Sequence, residues 1–596
     1  MLIASLQKFL TSPIEKTSRS RVIFWLSLSL TFAALYSILG LKEAFGSEYV
    51  VQDDARQHVF WMMRFIDPAL FPNDLIADYF QSVAPAGYKT VYKIAAIAGI
   101  NPLLFHKILP MILGLISTYY CFSICLEILP VPMTGFIASL ILNQSMWITD
   151  DLASATPRAF IYPLFLGFLY YLLRFSLLPS LLKIALIGLF YPQYIFIISG
   201  ILILRLLHWK DGSLRLSQDR NKYLFCITGL GISFLVLLPF ALTTSKFGPI
   251  ITIAQAKQMP EFLPGGRVPF FFNANFKRFW LTGRSTGMFS KSLFTPVTYC
   301  FGLLFPFLLL FSSAFPLAKQ IKSSIWLLLQ IVIVALTMFF IAHAVLFNLH
   351  IPNRYTAYTF RIVIVLLTAI SLTLIIDSLC NWALRREAKV LIQSPSSLSP
   401  IIQGNSPIKN SIALGIIGII AVLVLLYPCF VKDFPRVGYK TGRMPELYKF
   451  FQQQPKDILI ASLSEEVSFL PSFSQRSILV GREYGIPYHI GYYRQFKQRA
   501  IELIRAQYSP DITVVKNLIN KYGIDFWMLE KNALTLNYVE KYGWLKNFDS
   551  TSTVIAELKQ GKTPALKEYM ERCTVFQNDS LLVLKASCIA KYDSKD

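Results

Sequence analysis

Apolar residues run in long stretches through the first 430 positions of this chain and in short, alternating groups after them. The first stretch, 22–41 (VIFWLSLSLTFAALYSILGL), carries no charge. It is long enough to cross the roughly 30 Å of hydrocarbon in a bilayer. Comparable stretches follow at 103–127, 131–148, 159–176, 180–191, 193–208, 223–243, 295–316, 325–347, 359–380 and 411–430. The pattern predicts an α-helical polytopic membrane protein with about eleven spans. Between two of the shorter stretches stands Tyr191-Pro192-Gln193. Proline breaks a helix, so two spans meeting at an apex are expected, with one long kinked helix as the alternative. Residues 88–100 are apolar but too short to span, and read as an interfacial helix.

The pattern changes after position 430. DILIAS (457–462), SILVG (477–481), IDFWMLE (524–530) and LLVLKA (581–586) read as strands. Residues 491–507 and 511–522 read as amphipathic helices. This alternation predicts a small α/β domain over 431–596.

Composition narrows the class. Hydrophobic residues make up 54% of the 596 positions and charged residues only 15%, against about 25% in an ordinary soluble domain. Disorder is excluded by the same numbers. Lys and Arg total 57 against 34 Asp and Glu, a net charge of +23. No basic stripe with interleaved aromatics appears, so nucleic acid is not an expected partner. The basic residues instead gather in short loops, as the positive-inside rule requires. Segment 1–21, with Lys8, Lys16, Arg19 and Arg21 against Glu15, is read as a cytoplasmic N-terminus. Segment 42–87 is acidic and is placed outside. The basic loops 209–222, 317–324 and 381–410 then fall inside, and the last is a Ser/Pro/Gly-containing linker. The expected organisation is a transmembrane domain over 22–430, with outer loops at 42–102 and 244–294, followed by an extracytoplasmic tail. A multi-pass protein of the inner (plasma) membrane follows, with the lipid bilayer as its first partner. The first stretch lacks a small-residue cleavage site, so no cleavable signal is expected.

Six of the eight cysteines lie in or beside apolar runs and read as small hydrophobes. Cys573 and Cys588 flank a strand pair in the tail and could form a disulfide if their Cα atoms approach within about 7 Å. There is no P-loop and no HExxH.

Candidate chemistry concentrates in the loops read as outer. The first holds Asp53, Asp54 and, one helical turn on, His58, which shares a face with Asp54. Either aspartate could cap the helix while the other points inward. The second, very short, holds Asp150, Asp151 and Arg158; charges at membrane depth are functional or paired, and a structural ion pair of Arg158 with Asp150 or Asp151 is the alternative to a functional role. A third places Arg354 among tyrosines, with Arg361 just inside the next span. A guanidinium there could fork onto a phosphate or snorkel at headgroup level. The larger loop 244–294 is basic, with Lys246, Lys257, Arg267, Lys277, Arg278, Arg284 and Lys291 against Glu261. Its Gly265-Gly266 turn and Phe270–Phe272 run suggest a mobile loop near the membrane surface. In the tail, the polar, turn-rich segment of Arg482, Glu483, Tyr484 and His489 is expected to face an acceptor.

This arrangement resembles the GT-C superfamily of integral-membrane glycosyltransferases. Its members include protein O-mannosyltransferases, aminoarabinose transferases and oligosaccharyltransferase catalytic subunits. The shared features are an acidic first loop after span one, a second acidic pair between spans three and four, many spans, and a C-terminal α/β domain. The adjacent Asp150-Asp151 departs from the Asp-x-Asp of oligosaccharyltransferases, and the tail has no WWD-type motif. The resemblance implies transfer of a sugar from a polyprenyl-phosphate donor to an acceptor hydroxyl. It implies Asp54 or Asp53 as the base, with Arg158, Arg354, Arg267 and Lys257 on the donor phosphate. It also implies a divalent ion, Mg or Mn, at Asp54, Asp150 and Asp151. The alternatives are a transporter or lipid-binding protein, and a non-catalytic assembly scaffold. The first would need charged residues at mid-membrane, whereas here they cluster in the outer loops, and Asp377, the main acid within a span, sits near the inner end.

Overall fold

The computed structural model describes residues 2–210, 212–242, 245–272, 275–289, 295–384 and 407–591. All the apolar stretches contain helix. Six helices among the described residues are long and apolar enough to cross a membrane: Arg19–Ala44, Pro102–Ile128, Arg220–Leu242, Ser323–Ala344, Asn353–Leu384 and Pro407–Leu425. Shorter apolar helices occupy the other stretches. Leu177–Phe190 and Ile195–Leu204 are separate helices joined by a tight turn at Pro192–Tyr194, which rules out the single kinked helix. The stretch 295–316 is not one continuous span. It divides into Cys300–Leu303 and Phe305–Leu310, because Pro306 cannot donate its missing N–H to a continuing helix.

At the centre stands Pro132–Trp147, every residue of which is buried. Its polar side chains therefore need partners within the bundle. Asn143 Nδ2 donates to Thr118 Oγ1 (2.7 Å), Gln144 Nε2 to the carbonyl of Val424 (2.7 Å) and Thr134 Oγ1 to Thr373 Oγ1 (2.9 Å). These bonds tie it to the helices Pro102–Ile128, Pro407–Leu425 and Asn353–Leu384. The outward side of Arg19–Ala44 exposes Ile23, Phe24, Leu35 and Ile38, an apolar face suited to lipid.

An N-terminal helix, Leu2–Leu10, was not foreseen. It docks on the end of Asn353–Leu384 through Asp377, which accepts from Gln7 Nε2 (2.9 Å), Thr11 Oγ1 (2.8 Å) and Asn381 Nδ2 (2.9 Å). Asp377, near the inner end of its span, thus holds the N-terminal helix. The linker 381–410 lies mostly outside the described residues, and Lys291 lies outside them as well.

Nine strands occur among the described residues. β1 (Val50–Gln52), in the first loop, pairs antiparallel with β4 (Tyr439–Thr441), where the tail begins. β2 (Leu207–Lys210) and β3 (Ser213–Leu216) form a hairpin. The tail carries β5 (Leu459–Ala461), β6 (Ser477–Ile478), β7 (Phe526–Glu530), β8 (Thr574–Gln577) and β9 (Leu581–Lys585) in the order β6-β5-β7-β9-β8. β5 runs parallel to β6 and β7, and β9 runs antiparallel to β7 and β8. Helices Ile490–Tyr508 and Ile512–Tyr522 supply the α layer expected there. Cys573 and Cys588 are bonded, with Cα atoms 5.6 Å apart.

Candidate active site

Gln52, the last residue of β1, positions the first loop. Its Oε1 accepts from the backbone N–H of Asp54 (2.8 Å) and Ala55 (3.3 Å), so it caps the short helix Ala55–His58. Neither aspartate needs to cap, and the two part company. Asp53 pairs with Arg56. Asp54 turns toward the bundle, where its Oδ2 meets Arg158 Nη2 at 2.7 Å.

Arg158 is the hub of the cluster. Its Nη2 also reaches Asp150 Oδ2 at 3.1 Å, and its Nη1 reaches Asp151 Oδ1 at 3.3 Å. Both acids belong to Asp150–Ala153, a single helical turn between two apolar helices. Asp151 is claimed a second time, by Arg361 Nη1 (3.1 Å). Arg361 also donates to the Tyr162 hydroxyl. The Tyr358 hydroxyl adds a longer bond to Asp151 Oδ1 (3.4 Å) and accepts from Arg354 Nη1 (3.2 Å). Arg361 is 2% exposed and was assigned no role in the sequence. The available signal was an arginine inside an apolar run, which implies a buried partner.

The charges set the protonation states. Burial alone would push the Asp54 carboxyl up, but Arg158, with His58, Arg354 and Arg284 behind it, holds it below the usual carboxylate range. Asp151 is likewise raised by burial and lowered further by Arg158 and Arg361, to about 2. Burial lowers His58, against the pull of Asp54, so the imidazole is neutral near pH 7. Its ring meets Phe80 edge-on, 5.7 Å between centroids.

Arg354 is half-buried on the same side. Its Nε is buried and has no hydrogen-bond partner among the described residues. Tyr488 of the tail lies in the field of Arg354, Arg267 and Arg284; burial raises its hydroxyl to about 12 against their pull. The described part of the loop carrying Arg267 and Arg284 packs against the tail and the segment 346–351. Phe262, Phe270 and Phe271 pack with Phe347, Ile351 and Tyr488 in a second apolar cluster. Lys257, also expected at the donor, is exposed at the end of the helix Ile253–Lys257.

The segment expected to face an acceptor has another position. Tyr484 is fully buried, and its hydroxyl donates to the carbonyls of Arg56 (3.2 Å) and Ser468 (3.1 Å). Glu483 is held by Arg56 (3.1 Å), Arg267 (2.5 Å) and Gln57 (2.5 Å). Arg482 pairs with Glu465 at the surface (2.7 Å), and His489 Nδ1 lies 3.1 Å from the Tyr79 hydroxyl. Turn residues and polar aromatics here serve docking: the segment clamps the tail onto the first loop.

The three acids fit a divalent ion poorly. Each turns a carboxylate oxygen to the Arg158 guanidinium, and among the described residues no three His, Cys, Asp or Glu side chains are placed to hold a metal.

The sequence matches no protein-family model and no curated protein. Solved structures do match. The archaeal oligosaccharyltransferase AglB from Archaeoglobus fulgidus, in complex with an inhibitory peptide and a dolichol-phosphate, superposes with a TM-score of 0.52 at 13% identity, over 89% of this chain and 72% of that one. The Archaeoglobus fulgidus oligosaccharyltransferase tethered with an acceptor peptide gives 0.51 at 13% identity, over 89% and 72%. Its complex with Zn and sulfate gives 0.50 at 12% identity, over 87% and 70%. At such identities the likeness is one of fold. This chain is a helical polytopic membrane protein that shares the fold of these structures and carries a C-terminal sheet-bearing region.

Proposed function

We propose that this chain is a glycosyltransferase that moves a sugar from a polyprenyl-phosphate-linked donor to an acceptor hydroxyl, at the outer face of the membrane. The observation that carries the reading is the ionised Asp54 carboxylate, fixed by Arg158 at the end of the bundle that bears the tail, with Arg354 beside it. Asp54 gives Oδ2 to Arg158, which leaves Oδ1 as the oxygen to receive a proton. As the acceptor oxygen attacks the anomeric carbon, its hydroxyl becomes acidic and its proton passes to Oδ1. A carboxylate held at low pKa takes that proton late, when the new C–O bond is largely formed.

The bond from the anomeric carbon to the phosphate oxygen breaks, and the electron pair leaves with the lipid phosphate. Arg354 suits the developing charge, because it retains donors that Arg158 has already committed to carboxylates. Arg267 and Arg284 add positive field around Tyr488. A single displacement of this kind inverts the anomeric centre. No step passes through a metal ion.

The test is Asp54→Asn in membranes supplied with a radiolabelled polyprenyl-phosphate sugar. Asn keeps the shape and cannot take the proton, so transfer should fall by about 10²–10⁴-fold with the protein still inserted. Asp53→Asn, which disturbs only the Arg56 pair, should retain most activity. Equal, full activity in both variants would reject the base assignment and this reading with it.

A further inference from the structure

The feature that the proposed chemistry leaves unexplained is the meeting of three carboxylates from two loops on one guanidinium. Three acids from separate positions, converging at the end of a bundle, are the usual makings of a divalent-cation site. Here the positive centre is already part of the chain. Arg158 Nη2 lies 2.7 Å from Asp54 Oδ2 and 3.1 Å from Asp150 Oδ2, and its Nη1 lies 3.3 Å from Asp151 Oδ1. The second Asp151 oxygen is taken by Arg361 at 3.1 Å.

Arg158 is not held on a free tether. Its Nε lies 3.4 Å from Ser154 Oγ, its Nη2 lies 3.5 Å from the Asp150 carbonyl, and its side chain is 10% exposed. Ser154 in turn bonds Thr156 at 2.8 Å, so the loop that carries the two acids also anchors the arginine. Asp150, Asp151, Ser154 and Arg158 all lie within one short connection between two helices.

We infer that Arg158 stands in the place of a divalent cation: its guanidinium neutralises and aligns Asp54, Asp150 and Asp151, so that the centre works without a bound metal. Guanidinium chemistry suits the task. It is permanently charged, and its planar fork of N–H donors can serve several carboxylate oxygens at once. A dication entering the cluster would have to take the same oxygens and then face Arg158 and Arg361 with no carboxylate left to shield them. The arginine therefore excludes the ion as well as replacing it. The inference rests on the glycosyltransferase reading only where it names Asp54 as the base; metal binding itself is measured without any sugar transfer.

The measurement uses the full-length chain in detergent, stripped with EDTA, freed of chelator and titrated with Mn²⁺, with free ion read by electron paramagnetic resonance. The wild-type chain should take up no stoichiometric Mn²⁺ tighter than about 1 mM. Arg158→Ala should gain one site per chain, at least about tenfold tighter, and Asp151→Asn in the same background should remove it again. The wild-type titration needs no variant and decides on its own if Arg158→Ala does not fold. One Mn²⁺ bound by the wild-type chain and lost in Asp54→Asn or Asp151→Asn would overturn the inference. So would a monodisperse, cooperatively melting Arg158→Ala that binds none. Loss of transfer in Asp54→Asn addresses the glycosyltransferase reading separately and leaves this result untouched.

Discussion

Arg354 keeps hydrogen-bonding capacity that Arg158 has given to carboxylates, and the two arginines should respond differently to truncation. Arg354→Ala removes one charge-assisted contact to a lipid phosphate, which should weaken donor binding by about 1.5–3 kcal/mol. The check is donor affinity in the purified chain, with the thermal midpoint unchanged to within a few degrees. Asp151 belongs to the stability of the cluster. Its folded pKa, near 2, lies below the ordinary value of 3.8. The ionised form therefore stabilises the fold fully above about pH 4, and that contribution, on the order of 2 kcal/mol, is lost as pH falls toward 2. A melting series from pH 6 to pH 2.5 should drop steeply for the wild-type chain. In Asp151→Asn the curve should be flatter and lower throughout. The sequence already pointed to Asp54, Asp150, Asp151 and Arg354 through their places at the ends of apolar runs. It could not separate Asp53 from Asp54, because the capping that decides between them comes from Gln52, a side chain with no distinguishing pattern. Arg361 was hidden differently: flanked by apolar residues, it read as part of a span, and only the approach of Asp151 from another helix gives it a purpose.

At the scale of elements, periodicity located the helices and the main strands of the tail. It missed those whose existence depends on a distant partner. β1 and β4 are three residues each and have no alternation to detect; each is a strand because the other is there. Leu2–Leu10 is helical at a terminus because Asp377 receives its Gln7 and Thr11 side chains. The Cys573–Cys588 pair was readable from position, since it brackets β8 and β9. Closing a loop of 15 residues restricts the unfolded chain by about 3 kcal/mol. Cys588→Ser in the full-length chain should therefore lower the urea concentration at which a protease cuts 574–591, and leave cleavage elsewhere unchanged. Equal cleavage midpoints would mean that the sheet alone fixes this end.

At the scale of the whole molecule, charge bias in the loops predicts an orientation that the helices themselves do not carry. A single cysteine introduced at the exposed Lys559 tests it. In intact cells a membrane-impermeant maleimide should label that site; labelling only after lysis would place the tail, and the proposed centre with it, on the other side. The architecture was legible as a class. The means of attachment was not: Glu483 joins Arg56 of the first loop to Arg267 of the large loop, through a segment that looked made for ligands. The pairing of β1 with β4 has a consequence in time. Gln52 reaches the Val437 carbonyl across 385 residues of sequence. A ribosome adding about 5–20 residues per second needs roughly 20–80 s to cover that distance. Throughout that interval the nascent first loop lacks the strand that orients Gln52, and Asp54 lacks its capped helix. The cluster around Asp54 is thus among the last parts of the protein to form, and a chain released before the tail is synthesised lacks the strand pairing that orients Gln52.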